Sequence, residues 1–305
     1  MPRVNIVVPA YNAEAFIAET VRSALAQTFT DLQVTVIDDG SSDATAARAA
    51  QDDPRVRVIS QENRGMSRSR NRGMAEVDSE FVALLDADDL WHPEKLRLQL
   101  QALQSRPDHD FCYTAFDVWH GEPRPAYFSE PRDGRVDESL SGWIYPRLIL
   151  DNHALPSSVV WRRSAWDRMG GFLTDDQKTD DWEYLVRAST QHRFIRLAES
   201  FVLYRQHPVS LSRRIAPVNS TELMRADLIR RFGMSAPPGH DVDPQALRRF
   251  QHRGWCNFAD SHVAKGDLGL GLKTFARLLA TGPYRGATLT KMGKSLVRRW
   301  VPRRD

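Results

Sequence analysis

Three carboxylates lie close together at Asp86, Asp88 and Asp89, directly after the apolar run 81–85. Carboxylates at this spacing repel one another unless a cation neutralises them, and Mg²⁺ and Mn²⁺ prefer oxygen ligands of this kind. In an Asp-x-Asp pair, one carboxylate can bind the metal while the other orients a metal-bound water or a ribose hydroxyl. The alternative is structural, because acidic residues ahead of a helix, here opened by Pro93, favour the helix dipole. The motif alone leaves both interpretations open.

Two further polar segments have the chemistry to bind a nucleotide. Residues 38–43, Asp-Asp-Gly-Ser-Ser-Asp, offer carboxylates to a nucleobase N–H or to ribose hydroxyls, or else form a capped turn. Residues 63–73 include four arginines, and Gly65 permits a close backbone approach before a helix. Arginine side chains match phosphate oxygens, although a solvated basic face is the alternative. The segment is neither Gly-x-Gly-x-x-Gly nor a Walker A loop, so the dinucleotide and ATPase signatures are missing.

These polar segments follow predicted strands. Short apolar runs predict four strands, at 4–8, 33–37, 55–60 and 81–85. Helical spacing predicts the helices between and after them, at 13–27, from the 38–43 turn to about 50, at 66–75 and from Pro93. This alternation predicts right-handed crossovers and a mostly parallel sheet. Ligands of such sheets bind beyond the carboxyl ends of the strands, where the polar segments 9–12, 38–39 and 86–88 lie.

The second half of the chain is less regular and ends in helices. We predict strands at 111–118, 157–161 and 194–204, and a helix from Thr179 to about Gln191. Beyond Pro217 only helices are predicted, at 221–232, 244–265, 268–279 and 288–300, with a linker at 237–241. The sequence therefore predicts an α/β domain in two halves, 1–106 and 107–214, followed by a helical C-terminal region at 215–305.

Composition excludes several classes of protein. The 305 residues are 41% apolar and carry a net charge of +3, as in ordinary globular proteins. Two cysteines, Cys112 and Cys256, are too few for a disulfide scaffold or a four-thiolate zinc site. No apolar run approaches the roughly 20 residues that span a bilayer. The first residues begin a strand at once, so secretion is not expected, and we expect a cytoplasmic protein.

The last 21 residues concentrate positive charge. They contain seven basic residues against Asp305, which gives 7 − 1 = +6, so the other residues sum to 3 − 6 = −3. The body of the chain is therefore not a nucleic-acid binder on charge grounds.

In the same last 21 residues, apolar residues are interspersed with the basic ones at near-helical spacing: Leu289, Met292, Leu296, Val297 and Trp300. Such a pattern is typical of an interfacial helix on an anionic membrane. The alternative is a basic helix docked on the protein's own acidic body, and nucleic-acid binding is weaker because no recognition module accompanies it.

In combination and in order, the motifs resemble those of glycosyltransferase family 2, nucleotide-sugar-dependent enzymes with the GT-A fold. The matching segments are 4–12, 36–41, 63–73, 85–89, 170–172, 179–183 and 204–207. Ser69 stands where the family usually has Ala, and the resemblance extends from residue 1 to about 212. It implies a Rossmann-like, mostly parallel sheet flanked by helices, with residues 215–305 as a helical appendage.

The resemblance also implies roles for individual residues. The expected nucleotide-site residues are Pro9, Ala10, Tyr11, Asn12, Asp39, Gly65, Arg70, Asp86 and Ala87. Asp88 is expected to bind Mn²⁺ or Mg²⁺ directly, with Asp86 on the ribose or a metal-bound water. His207 is a further candidate for a metal or phosphate contact, or else a structural histidine. Asp181 matches the usual catalytic base, but Asp180 stands where the family has Glu, so the choice between the two stays open.

The function implied is inverting transfer of a sugar from a nucleotide-diphosphate sugar, with UDP expected, to a hydroxyl acceptor. The acceptor would be a saccharide or a lipid-linked saccharide, in the synthesis of bacterial cell-surface polysaccharide or glycoconjugates, with the basic tail on the inner face of the membrane. Trp182, beside the expected base, is an acceptor candidate by ring stacking, unless it packs in the core. Two alternatives remain. A metal-dependent nucleotidyltransferase normally has a Gly-rich basic loop where residues 9–12 lie here, and a nucleotide-sugar-binding protein would lack turnover.

Overall fold

Short, mainly apolar runs form the strands of the first part of the chain. The computed structural model describes residues 1–121, 125–174, 180–207 and 215–300. The first strand, Val4–Ala10, is buried at all seven positions. Strands of a parallel sheet that is covered on both faces have this continuous apolar pattern, because neither face meets water.

Eight strands form one mixed sheet. Their bounds are β1 Val4–Ala10, β2 Leu32–Asp38, β3 Val56–Ser60, β4 Phe81–Leu84, β5 Leu90–Trp91, β6 Phe111–Trp119, β7 Val160–Arg162 and β8 Phe194–Arg205. Their order across the sheet is β3-β2-β1-β4-β7-β6-β8-β5. The block β3-β2-β1-β4 is parallel throughout, and β6 is parallel to β8. By contrast, β7 is antiparallel to both β4 and β6, and β5 is antiparallel to β8.

Helices connect the strands and make up most of the C-terminal region. Those up to residue 207 are α1 Ile17–Leu25, α2 Thr45–Ala49, α3 Met66–Ala75, α4 Lys95–Ser105, α5 Pro125–Ser129, α6 Tyr145–Leu148, α7 Arg163–Met169 and α8 Asp180–Ser189. The later ones are α9 Ser220–Phe232, α10 Pro244–Lys265, α11 Leu268–Thr281 and α12 Arg285–Trp300. Asn219, Asp243 and Asp267 cap three of these, since each side chain accepts a backbone N–H of the first turn.

The chain divides into two compact units. The first comprises Met1–Leu148 and Asn152–His207, and the second Ile149–Asp151 and Pro208–Asp305. The sheet runs through both predicted halves of the first unit, and a division of roles near residue 106 stays a prediction. The core of the second unit is a small apolar cluster of Cys256, Ala259, Val263 and Phe275. No helix among the described residues is long and apolar enough to cross a membrane.

Most predicted elements are confirmed, and the differences are local. The helices predicted at 66–75 and 244–265 have those bounds in the structure. The strand predicted at 157–161 is wrong in its first half, because Pro156–Ser158 forms a 3₁₀ turn and the strand begins at Val160. The parallel order expected for most of the sheet holds for β1 to β4, whereas the remainder is mixed. The two-residue strand β5 was not predicted.

The helix α3 lies against the sheet at Gly73. A Cβ atom added there would lie 2.4 Å from Val7 Cγ1 and 3.2 Å from Ile37 Cγ1, both on fully buried side chains. Asn5, the second residue of β1, donates its amide to the Gly73 carbonyl (3.0 Å) and accepts from the Thr35 hydroxyl (2.8 Å). The close approach of α3 to the sheet therefore depends on the missing side chain of Gly73 and on the buried hydrogen bonds that link Thr35, Asn5 and Gly73.

Substitution of Gly73 tests this packing. We expect Gly73→Ala to lower the free energy of unfolding by about 1–3 kcal/mol, because a methyl group overpacks a rigid β-branched neighbour. Gly293→Ala in α12 is the matched control, since its Cβ would meet nothing within 4 Å; there alanine should be neutral or stabilising by up to about 1 kcal/mol. Urea denaturation measures both. Equal effects of the two substitutions would contradict the close approach.

Candidate active site

The polar segments meet at one edge of the parallel block. In the register of the sheet Ala10 lies opposite Asp38, and Val7 lies opposite Leu84. The chain therefore leaves β1, β2 and β4 on the same side. Residues 9–12 and 38–43 begin in the last residues of β1 and β2 and continue into the loops after them, and residues 86–89 follow β4, so the three segments lie at the strand ends as the sequence predicted. This edge is the candidate active site.

Asn12 joins the loop after β1 to the loop after β2. It has a positive φ of 49°, which asparagine tolerates better than most residues. Its Oδ1 accepts from the Ser42 backbone N–H (2.9 Å), and its own N–H donates to the Ser41 hydroxyl (2.9 Å). Tyr11, immediately before it, is 55% exposed. The two loops thus hold each other while the Tyr11 ring remains accessible to a ligand.

The Asp39 carboxylate is hydrogen-bonded to the loop that leads into α3. Its Oδ1 accepts from Gln61 Nε2 (2.6 Å) and the Arg64 N–H (2.9 Å), and its Oδ2 accepts from the Gly65 N–H (2.8 Å). Gly65 has a φ of 87°, a left-handed conformation that suits glycine. Asp39 and Gly65, two of the residues expected at the nucleotide, therefore contact each other. A direct nucleotide contact by either stays a prediction.

Arg70 reaches from α3 to the first carboxylate of the acidic loop. Its side chain is 2% exposed, and Nη2 donates to Asp86 Oδ1 at 3.1 Å. The guanidinium carbon lies 5.4 Å from the centre of the Phe172 ring. A direct nucleotide contact by Arg70 also stays a prediction, and the observed role is to orient Asp86.

The acidic loop, residues 86–89, is held from several sides. The Ser157 hydroxyl accepts from the Asp86 N–H (3.0 Å) and donates to Asp89 Oδ2 (2.6 Å). The Thr20 hydroxyl donates to the Ala87 carbonyl at 3.0 Å. These contacts hold the loop backbone from which the Asp86 and Asp88 side chains extend.

Arg205, at the end of β8, is an anchor that the sequence analysis missed. Its Nε donates to the Asp88 carbonyl (2.8 Å) and its backbone N–H donates to Asp89 Oδ1 (3.0 Å). The guanidinium carbon lies 4.1 Å from the centre of the Trp119 ring, and Nη2 pairs with Glu19. The motif at 204–207 indicates His207 as a site residue, whereas the sequence carries no signal that Arg205 anchors the acidic loop. Ser157 was missed because an isolated serine carries no sequence signal.

The three carboxylates divide into one buried and two partly exposed groups. Asp89 is fully buried, and burial raises its pKa well above the ordinary value, with the charges of Asp88 and Asp86 adding to the effect. Burial and the Asp86 charge also raise the pKa of Asp88, whereas a hydrogen bond from His207 opposes the rise. Asp86 and Asp88 keep side-chain exposures of 24% and 27%. Negative charge is therefore crowded at the edge where two carboxylates reach the surface.

His207 completes this group of potential metal ligands. Its Nε2 lies 3.0 Å from Asp88 Oδ2, and its ring centre lies 4.6 Å from that of Phe16. Within the described ranges, no three His, Cys, Asp or Glu side chains are grouped so that they alone could hold a metal ion. Two carboxylates and an imidazole fit Mg²⁺ or Mn²⁺ if substrate and water oxygens supply the remaining ligands. The metal assignments to Asp86, Asp88 and His207 stay predictions.

The expected base lies in the first turn of α8. Asp181 is the second residue of that helix and is partly exposed. The side chain of Asp180 lies outside the described part of the chain, so the structure does not bear on the choice between the two. The helix is fixed by Glu183, which is fully buried and pairs with Arg187 at 3.0 Å. Arg187 in turn donates to the carbonyls of Met169 and Gly171.

Trp182 is packed inside the first unit. It is 2% exposed, and its indole N–H donates to the Leu148 carbonyl at 2.8 Å. An acceptor contact by Trp182 stays a prediction, and its burial favours the packing role that the sequence had left as the alternative.

Comparison with known proteins identifies relatives of this chain. The family model described as "Glycosyl transferase family 2" matches residues 5–142. An uncharacterized glycosyltransferase of Bacillus subtilis, EpsJ, is 39% identical over 237 residues, covering 70% of this chain and 63% of that protein. Chondroitin synthase of Escherichia coli is 41% identical over 195 residues, covering 62% of this chain and 27% of that protein. The chain spans between a half and two thirds of the first curated relatives that it matches.

Solved structures share the fold. TarS of S. aureus, residues 1–349 in complex with UDP-GlcNAc, aligns with a TM-score of 0.62 and 16% identity, covering 97% of this chain and 89% of that one. The mannosyltransferase PcManGT of Pyrobaculum calidifontis, in complex with GDP-Man and Mn²⁺, aligns with a TM-score of 0.61 and 21% identity, covering 99% and 88%. At these identities the likeness establishes a GT-A fold.

Two adjacent serines test how the acidic loop is anchored. We expect Ser157→Ala to lower the free energy of unfolding by about 2–3 kcal/mol, because it takes a donor from a buried carboxylate and an acceptor from the Asp86 N–H. Ser158→Ala is the control. Ser158 is equally buried but donates only to the carbonyl of Leu155, which is partly exposed, so its loss should cost about 1 kcal/mol or less. Denaturant unfolding of both variants measures the difference, and equal costs would contradict this account of the anchor.

Proposed function

We propose that the chain is a glycosyltransferase of family 2, whose family model matches residues 5–142, and that it transfers a sugar from a nucleotide-diphosphate sugar to a hydroxyl group of an acceptor. The expected nucleotide is UDP. The expected acceptor is a saccharide or lipid-linked saccharide, and the expected pathway builds bacterial cell-surface polysaccharide or glycoconjugates. Relatives that include chondroitin synthase and a putative teichuronic acid glycosyltransferase support a role in polysaccharide synthesis.

The proposal depends on one observation. The acidic loop presents Asp86 and Asp88 at the edge of the sheet where the loops after β1 and β2 begin. Its backbone is fixed by Ser157, Thr20 and Arg205, so the two carboxylates are directed before a ligand arrives. Preorganised charge is the main means by which an enzyme stabilises charge that develops during a reaction. A leaving nucleoside diphosphate develops such charge.

The donor nucleotide is proposed to bind across the loops after β1 and β2. Tyr11 offers an exposed ring for the base, and Pro9, Ala10 and Asn12 line the strand end beside it. Asp39, just after β2, accepts from the Gly65 N–H, and Arg70 of α3 donates to Asp86, so these residues would support the surface from beside it. The complexes of TarS with UDP-GlcNAc and of PcManGT with GDP-Man support a nucleotide-sugar donor in a protein of this fold.

Mn²⁺ or Mg²⁺ is the proposed cofactor. Asp88 would hold it directly, with Asp86 and His207 as the neighbouring polar groups, and the diphosphate would supply further oxygens. When bound, such an ion stabilises negative charge on the departing diphosphate. The Mn²⁺ in the PcManGT complex supports this assignment. So does the crowding of the carboxylates here, because a cation relieves their mutual repulsion.

Asp181 is the proposed general base of an inverting reaction. The acceptor oxygen would attack the anomeric carbon opposite the leaving diphosphate, the bond to the diphosphate oxygen would break, and the hydroxyl proton would pass to the carboxylate of Asp181. The first turn of α8 favours a negative charge on this carboxylate. The Glu183–Arg187 pair and the Trp182 N–H fix the helix and so fix the position of the base.

Replacing the base should separate binding from turnover. Asp181→Asn is expected to lower kcat about 10²–10⁴-fold, while the Kd for UDP with Mn²⁺ stays within about twofold of wild type because the nucleotide loops are untouched. Asp52→Asn, at an exposed carboxylate of the α2–β3 connection, is the control. Radiolabelled transfer and calorimetry supply the two readouts. Near wild-type turnover of Asp181→Asn would remove Asp181 as the base.

Replacing Asp88 should remove the effect of the metal on nucleotide binding. In calorimetric titrations wild-type protein should bind UDP at least about tenfold more tightly with Mn²⁺ than with EDTA. Asp88→Ala should bind equally in both, because its metal ligand is gone. Asp133→Ala, at an exposed carboxylate distant in sequence, is the control. An unchanged Mn²⁺ effect in Asp88→Ala would refute the ligand assignment.

The overall proposal is tested by a thermal-shift screen of nucleotide sugars with and without Mn²⁺, followed by a donor-hydrolysis assay of the best ligand. Stabilisation by one nucleotide sugar and release of its nucleotide are expected. Binding without any release would favour a nucleotide-sugar-binding protein instead.

A further inference from the structure

The last described helix, α12, has two contrasting faces. Its inner face packs in the second unit, where Met292 and Leu296 contact the apolar cluster that contains Val263 and Phe275. On the same side Ser295 is buried and donates its hydroxyl to Asp260 Oδ1 at 2.5 Å. The helix is therefore a folded part of this unit with a fixed orientation within it.

The outer face of α12 presents large apolar side chains to solvent. Leu289, Val297 and Trp300 are 53%, 59% and 73% exposed. At 100° per residue these three positions fall within an arc of about 80°. Three large apolar groups on one side of one helix, a tryptophan at its end among them, indicate a surface that is covered by something else.

The same helix is strongly basic. It contains five lysine and arginine residues and no carboxylate. Lys291 and Arg298 share the carboxylate of Asp260, at 3.3 and 2.6 Å. The unit therefore binds part of this charge itself, as the docked-helix alternative expected. One carboxylate against five cations still leaves 5 − 1 = +4 along the helix.

We propose that the outer face of α12 binds the surface of an anionic lipid bilayer. Leu289, Val297 and Trp300 would enter the boundary between headgroups and acyl chains, and Arg285 and Lys294 would contact lipid phosphates. An apolar stripe flanked by lysine and arginine, with tryptophan near its end, is the pattern of helices that lie in this boundary. The centre of a protein–protein interface is by contrast depleted in lysine. At sixteen residues the helix lies on a bilayer and does not cross it.

This inference is independent of the proposed sugar transfer. Membrane binding can be measured without donor or acceptor, so failure of either proposal leaves the other intact. If both hold, the membrane surface brings the enzyme to a lipid-linked acceptor.

Vesicle flotation of the full chain tests the proposal. The probes are phosphatidylcholine vesicles with and without about 30% phosphatidylglycerol. Wild-type protein should float with the anionic vesicles, weakly with the neutral ones, and less at high salt. Leu289→Ser/Val297→Ser/Trp300→Ser should lower the partition coefficient about tenfold or more. Leu223→Ser is the matched control, a 56% exposed leucine on α9, and should bind as wild type.

A second variant separates charge from folding. Arg285→Gln/Lys294→Gln leaves the Asp260 pairs and the apolar face intact, so it should stay folded by circular dichroism and still lose anionic-vesicle binding about fivefold or more. The proposal is overturned if wild-type protein does not float, or if the folded triple variant floats as well as wild type. Light scattering supplies a further check. If wild-type protein is a dimer, the triple variant is a monomer and the two proteins bind vesicles equally, the outer face contacts a second copy of the chain and the proposal is overturned.

Discussion

The first unit depends on accommodating three carboxylates, Asp86, Asp88 and Asp89, within four residues. Uncompensated, they would repel one another and resist burial. The fold compensates Asp89 with the Ser157 hydroxyl and the Arg205 N–H, and it compensates Asp86 with the buried guanidinium of Arg70. Asp89 is thereby an internal anchor, while Asp86 and Asp88 stay partly exposed at the edge of the sheet. The proposed metal site lies at these two carboxylates that reach the surface.

The mixed half of the sheet explains why distant segments meet at this loop. The strand β5 directly follows the acidic loop and pairs Leu90 with Leu203 of β8. That pairing carries Arg205 and His207, which lie just beyond, onto residues 86–89. The 3₁₀ turn before β7 brings Ser157 to the same place. A site assembled from positions more than 100 residues apart is thus a consequence of strand order.

The sequence predicts the elements of this fold better than the contacts between them. Continuous apolar runs and helical spacing identify β1 to β4 and α3, because those signals are local. They miss β5, since two residues have no period, and they misread Pro156–Ser158, which forms a 3₁₀ turn whose Ser157 hydroxyl contacts Asp86 and Asp89. Family motifs direct attention to Asp88 and His207, which do lie together. Nothing local in the sequence reveals that Arg205 holds the Asp88 carbonyl or that Trp182 is buried, because both depend on long-range packing.

We propose that Asp88 would hold a divalent cation when the diphosphate of a donor is bound. A crystal structure of the chain with UDP and Mn²⁺, with data collected at the manganese absorption edge, decides whether it does. We expect an anomalous peak at coordination distance from an Asp88 carboxylate oxygen, with the diphosphate on the other side of the peak and the base near Tyr11. A nucleotide bound in a different cleft, or manganese bound away from residues 86–88, would rule out Asp88 as the metal ligand.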